Sequence, residues 1–133
     1  MKESLLDTDT VSFFLKGNLA VARQIEVHFE RFGRLNLSVI SYYEIMNGLL
    51  FRDAKRQMSN FEEFALACQI LPVTTEIARR AAGIYAELRQ QNQMIGHTDV
   101  LIGATALQNG LVVVTNNQNH FRRIPDILLD NWL

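Results

Sequence analysis

Apolar residues recur in two rhythms along this chain, and their alternation sketches its elements. "SLLDT" (Ser4 to Thr8) is a short apolar run between polar residues and predicts a brief buried strand. "DTVSFFLKGN" follows as a helix, with Asp9 as its predicted N-cap and Gly17 as its stop. In "LAVARQIEVHFERFG", Val21, Ile25, His28 or Phe29, and Phe32 recur at helical spacing, and Gly33 ends the run. "LNLSVI" predicts a second strand. "SYYEIMNGLLFR" predicts a helix with Ile45, Met46, Leu49 and Leu50 as its apolar stripe. "MSNFEEFALACQI" places Phe61, Phe64, Ala65 and Cys68 on one helical face. "LPVTTE" predicts a short strand and a cap, before a helix carrying Ile77, Ala81, Ile84, Tyr85 and Leu88 on one side. "TDVLIGATALQNG" predicts a helix of small residues stopped by Gly110. "LVVV" is a last buried strand and "DILLDNWL" an edge strand. Short strands alternating with helices predict an α/β domain with a mostly parallel sheet.

Composition narrows the function classes. The 133 residues are 48% apolar, enough for one domain (residues 1–133) with a substantial core. The formal net charge of −1 excludes a strongly basic, sequence-independent nucleic-acid binder, so any polyanion must be met by a local patch or by metal. One cysteine, Cys68, rules out an internal disulfide framework and suits a reducing cytoplasm. No leader peptide is expected from the opening residues, and no segment approaches the roughly 20 apolar residues of a membrane span.

Ligands of open parallel sheets sit outside the carboxyl ends of the strands, which gives the polar residues a test. Asp7 and Asp9 end the first strand, Glu44 follows the second, and Asp99 opens the helix before "LVVV". Asn116, Asn117, Asn119 and His120 follow the last core strand. Each has an ordinary explanation. Asp7 can bind turn amides, Asp9 can cap a helix, and Glu44 completes a capping box as Ser41-x-x-Glu44. Asp99 can complement a helix dipole, His97 can cap or face solvent, and His28 fits a structural place in an amphipathic helix. Glu44 and Asp99 are each followed four residues later by glycine, Gly48 and Gly103. Glycine costs about 1 kcal/mol in a helix interior, so each marks a close approach, by a ligand or by packing. Carboxylates gathered at one edge repel one another, and divalent cations offset this. An oxygen-rich set suits Mg²⁺ or Mn²⁺, whose chemistry there is phosphoryl transfer. No Walker loop is present to cradle a nucleotide triphosphate.

With "LLDTD", "SYYEIMNGL" and "TDVLIGATALQNGLVVVTNNQNHFRRIPDILLDNW" in this order, the chain resembles the PIN-domain family, and in particular its VapC-type ribonuclease toxins. The ordered set, with D-x-L-I-x-A-T-A and V-T-N-N-x-x-x-F-x-R-I-P at their spacing, covers nearly the whole chain. The resemblance implies a three-layer α/β/α sandwich around a short, mostly parallel sheet. It implies a Mg²⁺- or Mn²⁺-dependent endoribonuclease that hydrolyses tRNA or rRNA, acts as a homodimer and is blocked by a cognate antitoxin. Its acidic set carries over onto Asp7, Glu44 and Asp99, with Asp7 and Asp99 as direct metal ligands. Glu44 would bind metal or orient the attacking water.

Where many family members carry a fourth acid after the last strand, this chain has Asn116, Asn117, Asn119 and His120, and no acid before Asp126. An asparagine carbonyl can hold a metal's water but brings no charge. The expectation is one tightly held metal, a second recruited by the RNA phosphate, Asn117 at the water shell, His120 near the phosphate, and Asp9 behind the ligands. Lys16, Arg52, Arg56, Arg122 and Arg123 are the candidate cationic rim. "FEEFALACQI" and "YYEIMNGLLF" offer an apolar groove for an antitoxin helix, or belong wholly to the core. Two competing readings remain. One is a catalytically weak PIN-like module that grips RNA or a partner. The other is a receiver-like phosphoacceptor, disfavoured by the lack of a lysine after "VVVT".

Overall fold

The computed structural model describes residues 1–133. Five short strands form one wholly parallel sheet in the order β3-β2-β1-β4-β5. They are β1 (Ser4–Leu6), β2 (Leu35–Ser38), β3 (Cys68–Leu71), β4 (Val112–Val114) and β5 (Leu129–Asp130). Between them run α1 (Thr8–Leu15), α2 (Leu19–Phe32), α3 (Val39–Phe51), α4 (Lys55–Leu66), α5 (Thr75–Gln90), α6 (His97–Asn109) and α7 (Gln118–Phe121).

The layering follows from strand alternation, which sends successive side chains to opposite faces. Leu5 and Val113 join Ile77, Leu88, Ile102 and Phe121 in a core under α5 and α6. Their neighbours Leu6 and Val114 join Leu37, Ile45, Leu49 and Phe61 in a second core under α1 to α4. Covered on both faces, the strands read as continuous apolar runs. The result is the expected α/β/α sandwich.

Local chemistry sets most boundaries. Gly33 and Gly110 close α2 and α6 in the left-handed conformation, at φ 70° and 65°, where a side chain would be strained. Asn18 and Thr74 cap α2 and α5 by accepting the amides of Val21 and Ile77. Several expectations need correction. Asp7, and not Asp9, is the N-cap of α1, so Asp9 sits in its first turn. Ser38 caps α3, which therefore takes in Val39 and Ile40, and Ser41 lies inside the helix with a buried hydroxyl that caps nothing. α4 stops at Leu66, and Cys68 opens β3 because its backbone pairs with Leu35 of β2. Of "LPVTTE", only Leu71 is in a strand.

His28, and not Phe29, faces inward: His28 is fully buried while Phe29 is 44% exposed. The Ser4 amide donates to His28 Nε2 at 3.0 Å, so the imidazole proton resides on Nδ1 and is donated to the Arg34 carbonyl at 2.9 Å. A neutral imidazole thus ties the α2–β2 turn to the start of β1. Burial holds its pKa below the usual histidine value.

Parallel strands place all their carboxyl ends at one edge. The chain crosses from β1 to β2 and β3 on one side, then returns to β4 and β5 on the other. The crevice between β1 and β4 is therefore the topological switch point, where open α/β sheets bind ligands. Asp7 follows β1 there and Thr115 follows β4.

Candidate active site

Asp7 is the centre of the crevice. It is only 5% exposed, and its amide donates to the Val114 carbonyl, which fixes the β1 end against β4. Its Oδ1 accepts the Thr8 amide at 2.8 Å, and its Oδ2 accepts the Thr115 hydroxyl at 2.8 Å. Burial raises its pKa from 3.8 to about 7, the Asp9 carboxylate adds to the rise, the two hydrogen bonds oppose it, and Asp99 contributes a further increment. Asp7 is therefore a carboxyl that stays partly protonated at neutral pH unless positive charge arrives.

Each remaining wall comes from a different element. Glu44, in the second turn of α3, accepts the Thr8 hydroxyl through Oε1 at 2.7 Å. Since Ser38 is the cap, Glu44 is free of the capping-box role that its sequence context suggests. Asp99, in the first turn of α6, meets His120 Nδ1 through Oδ2 at 3.3 Å. His120 Nδ1 also lies 3.0 Å from Asn117 Nδ2. Asp9 turns towards the β4 end, where its Oδ2 accepts the Asn116 amide at 3.1 Å. It lies beside Asp7, close enough for the two carboxylates to repel each other.

The amide cluster after β4 divides its work. Asn117 and His120 face the site. The Asn116 side chain instead accepts from Asn131 at 3.1 Å, pinning the chain end. His97 neither caps α6, whose cap is Gly96, nor joins the site, but stacks on Tyr85 with ring centroids 4.2 Å apart. Gly103 is explained by packing: a β-carbon there would come within 2.5 Å of Ile124 Cδ1. Two residues escaped the sequence reading, Thr8 and Thr115. Thr8 bridges Asp7 and Glu44, and Thr115 links Asp7 to the Asn117 amide, which donates to its hydroxyl at 2.9 Å. Their only sequence signal is position, just past a strand.

The donor set is nearly all oxygen, which suits Mg²⁺ or Mn²⁺. No three carboxylate, imidazole or thiol groups converge tightly enough to make a ready-built cage. That is compatible with Mg²⁺, which is commonly held by one or two carboxylates and several waters. Asp7 spends one lone pair on each hydrogen bond and keeps others free. A cation beside Asp7 and Asp99 would also offset the burial, and the smaller repulsion from Asp9 and Asp99, that keep Asp7 protonated.

Of the rim candidates, Lys16 and Arg52 line a pocket of about 380 Å³ that shares Thr8 and Glu44 with the site. Arg123 is occupied elsewhere, donating to the Met94 carbonyl at 3.2 Å. A larger cavity of about 600 Å³ between α5 and α6 contains none of the clustered acids.

Known proteins are similar to this chain in both fold and sequence. The PIN domain family model matches residues 5–127. A tRNA(fMet)-specific endonuclease VapC of Salmonella typhimurium is 33% identical over 137 residues, covering 99% of each chain. Ribonuclease VapC2 of Haemophilus influenzae is 30% identical over 138 residues, covering all of both. A chain in the crystal structure of DNA-bound VapBC from Salmonella typhimurium superposes with a TM-score of 0.89 at 30% identity, again over the full length of both chains.

Proposed function

The chain belongs to the PIN-domain family as a VapC-type ribonuclease toxin of a toxin–antitoxin pair, and on that premise we propose that Asp7, Glu44, Asp99 and Asn117 carry a metal-dependent hydrolysis of RNA. The observation that supports this most is Asp7: a carboxyl almost fully buried at the switch point, with its pKa pushed to about 7 beside two further acids. Perturbed carboxyls of this kind in a crevice mark functional sites.

Asp7 and Asp99 hold Mg²⁺ or Mn²⁺ in this reading. When bound, such an ion supplies positive charge to the phosphate oxygens and acidifies water. Thr8 and Thr115 aim the carboxylates, since each hydroxyl or amide donor fixes one oxygen. Glu44, oriented by Thr8, accepts the proton of the attacking water. Asn117 holds the His120 ring and offers its carbonyl oxygen to water at the site. One tightly held ion per chain is expected, because the amides after β4 add no charge.

The substrate class we propose is tRNA, with tRNA(fMet) as the first probe because it is what the Salmonella relative acts on. A cytoplasmic location fits both that substrate and a lone thiol. No helix is long and apolar enough to cross a membrane. Residues 1–133 act as one PIN domain.

The family's complexes imply a cognate antitoxin. The apolar side chains of α3 and α4 are not all spent on the core, since Leu50, Phe51 and Leu66 face solvent. We place the antitoxin in the apolar groove where Phe64 and Ala67 of "FEEFALACQI" meet Ile25, Phe29 and Leu35, a groove that no residue of "YYEIMNGLLF" lines, and a second copy of the chain over remaining exposed apolar surface. Incubation of the purified chain with tRNA(fMet) and Mg²⁺ or Mn²⁺ tests the catalytic assignment. Cleavage is expected to stop with EDTA and to fall at least ~100-fold in Asp99→Asn, the scale of losing a principal catalytic group; full-rate cleavage by that variant would refute the site.

A further inference from the structure

We propose that the pocket beside Glu44 is an RNA subsite, holding the phosphate and base of a nucleotide next to the cleaved bond. This rests on the catalytic reading above. The pocket's volume of about 380 Å³ lies within the usual range for small-ligand sites. Its wall nearest the crevice is the Thr8–Glu44 pair, joined at 2.7 Å. A strand leaving the catalytic carboxylates on that side runs directly into it.

Charge is the first argument. Lys16 and Arg52 both line the pocket, and neither makes an ion pair with any carboxylate. In a chain of net charge −1, two unpaired cations beside an acidic site are suited to phosphate. Gln57 also lines it, and its amide can both donate to and accept from a base edge.

Gly48 is the second argument. Glycine weakens a helix interior relative to alanine, so its place in α3 calls for a reason. No left-handed backbone requires it, and no neighbouring element packs over it: a β-carbon would meet only Arg52 Nη1, at 3.5 Å. Gly103 differs, being closed in by Ile124. Gly48 instead leaves the pocket floor bare beside the Arg52 guanidinium, where a β-carbon would sit in ordinary contact with Nη1 and take up floor space without displacing it. A bare floor under an unpaired guanidinium suits a planar, anionic occupant.

Lys16 and Arg52 also stand at the C-caps of α1 and α3, where the helix dipole favours a cation. That purely structural role predicts lower stability and unchanged RNA affinity on removing them, so the two accounts separate in one experiment. Binding of a tRNA(fMet) transcript to the full chain is measured in EDTA, where no cleavage intervenes, across a salt series. The double variant Lys16→Gln/Arg52→Gln is expected to bind at least ~10-fold more weakly, with a log–log salt slope shallower by about 1.4, at about 0.7 per phosphate contact on single strands. Gly48→Ala, which keeps both charges, is expected to bind several-fold more weakly with an equal or higher melting temperature. Arg79→Gln, on the distant α5, serves as the charge control and should leave binding unchanged. Wild-type affinity and slope in both pocket variants would overturn the subsite. So would weakened antitoxin binding with RNA binding intact, which would assign the pocket to the protein partner. Full-rate cleavage by Asp99→Asn speaks to the catalytic assignment alone, and the pocket variants are read independently of it.

Discussion

Replacing Asp7 by asparagine should make the metal-free protein more stable at neutral pH while destroying its activity. The folded carboxyl has a pKa of about 7 against 3.8 for the ordinary value. Below pH 3.8 both folded and unfolded forms are protonated, and burial carries no ionisation penalty. Between 3.8 and 7 the unfolded chain releases its proton while the folded one keeps it, so stability falls as pH rises. Above 7 the penalty is complete, with an upper bound of about 4 kcal/mol at about 1.36 kcal/mol per pH unit. The side chain of Asp7→Asn is neutral throughout. It can still accept the Thr8 amide, but the Thr115 hydroxyl must turn to accept from the new amide, at a cost of about 1 kcal/mol. A net gain of about 2–3 kcal/mol at about pH 8 follows, shrinking to nothing or slightly below by about pH 4. Urea unfolding in EDTA measures it: at about 1–3 kcal/mol per molar urea, the midpoint should move up by about 1–2 M at about pH 8. The acid titration of buried His28 is common to both proteins and cancels in the difference. Adding Mn²⁺ should raise the wild-type midpoint clearly more than the variant's, since the variant keeps Asp99 but loses the Asp7 carboxylate. A variant no more stable than wild type at the higher pH, or a difference that does not shrink on acidification, would refute the reasoning.

Other predictions test the framework around the site. Thr115→Val keeps the side-chain shape but removes the donor to Asp7 Oδ2 and the acceptor of the Asn117 amide. It should cost about 1–3 kcal/mol in urea unfolding and lower activity through misdirected Asp7. Gly103→Ala, which drives a methyl towards Ile124 Cδ1, should cost about 1–3 kcal/mol by overpacking, seen as a lower thermal midpoint. Cys68, whose thiol burial pushes up to about 12, should react with a thiol reagent at about pH 8 far more slowly in the native protein than in urea; equal rates would show that the β3 edge opens freely.

The apolar pattern was strong enough to reveal the order of elements because each strand is covered on both faces and each helix on one. α6 and β4 show it best: Val100 and Ile102 to Ala106 are buried close to the sheet, Gly110 makes the left-handed turn, then three buried valines follow. Boundaries were less legible where a tertiary partner outweighed local preference. Cys68 continues the apolar face of α4 in sequence, yet joins the ladder with β2. Ser41 and Glu44 have capping-box spacing, yet Ser38 takes the cap because β2 delivers the chain to α3 there.

The same division holds at the site. The amino-acid sequence alone placed Asp7, Asp9 and Glu44 after strands and Asp99 at the start of the helix that leads back to β4, and so all at one edge, because parallel strands must present their carboxyl ends there. It also determined that the segment after β4 would be neutral. Only the tertiary structure decided what each side chain does. Hydrogen bonds from Thr8 and Thr115 depend on contacts 36 and 108 residues apart, which no local pattern records. The raised Asp7 pKa likewise needs burial and neighbouring charge that exist only once β1 and β4 are side by side.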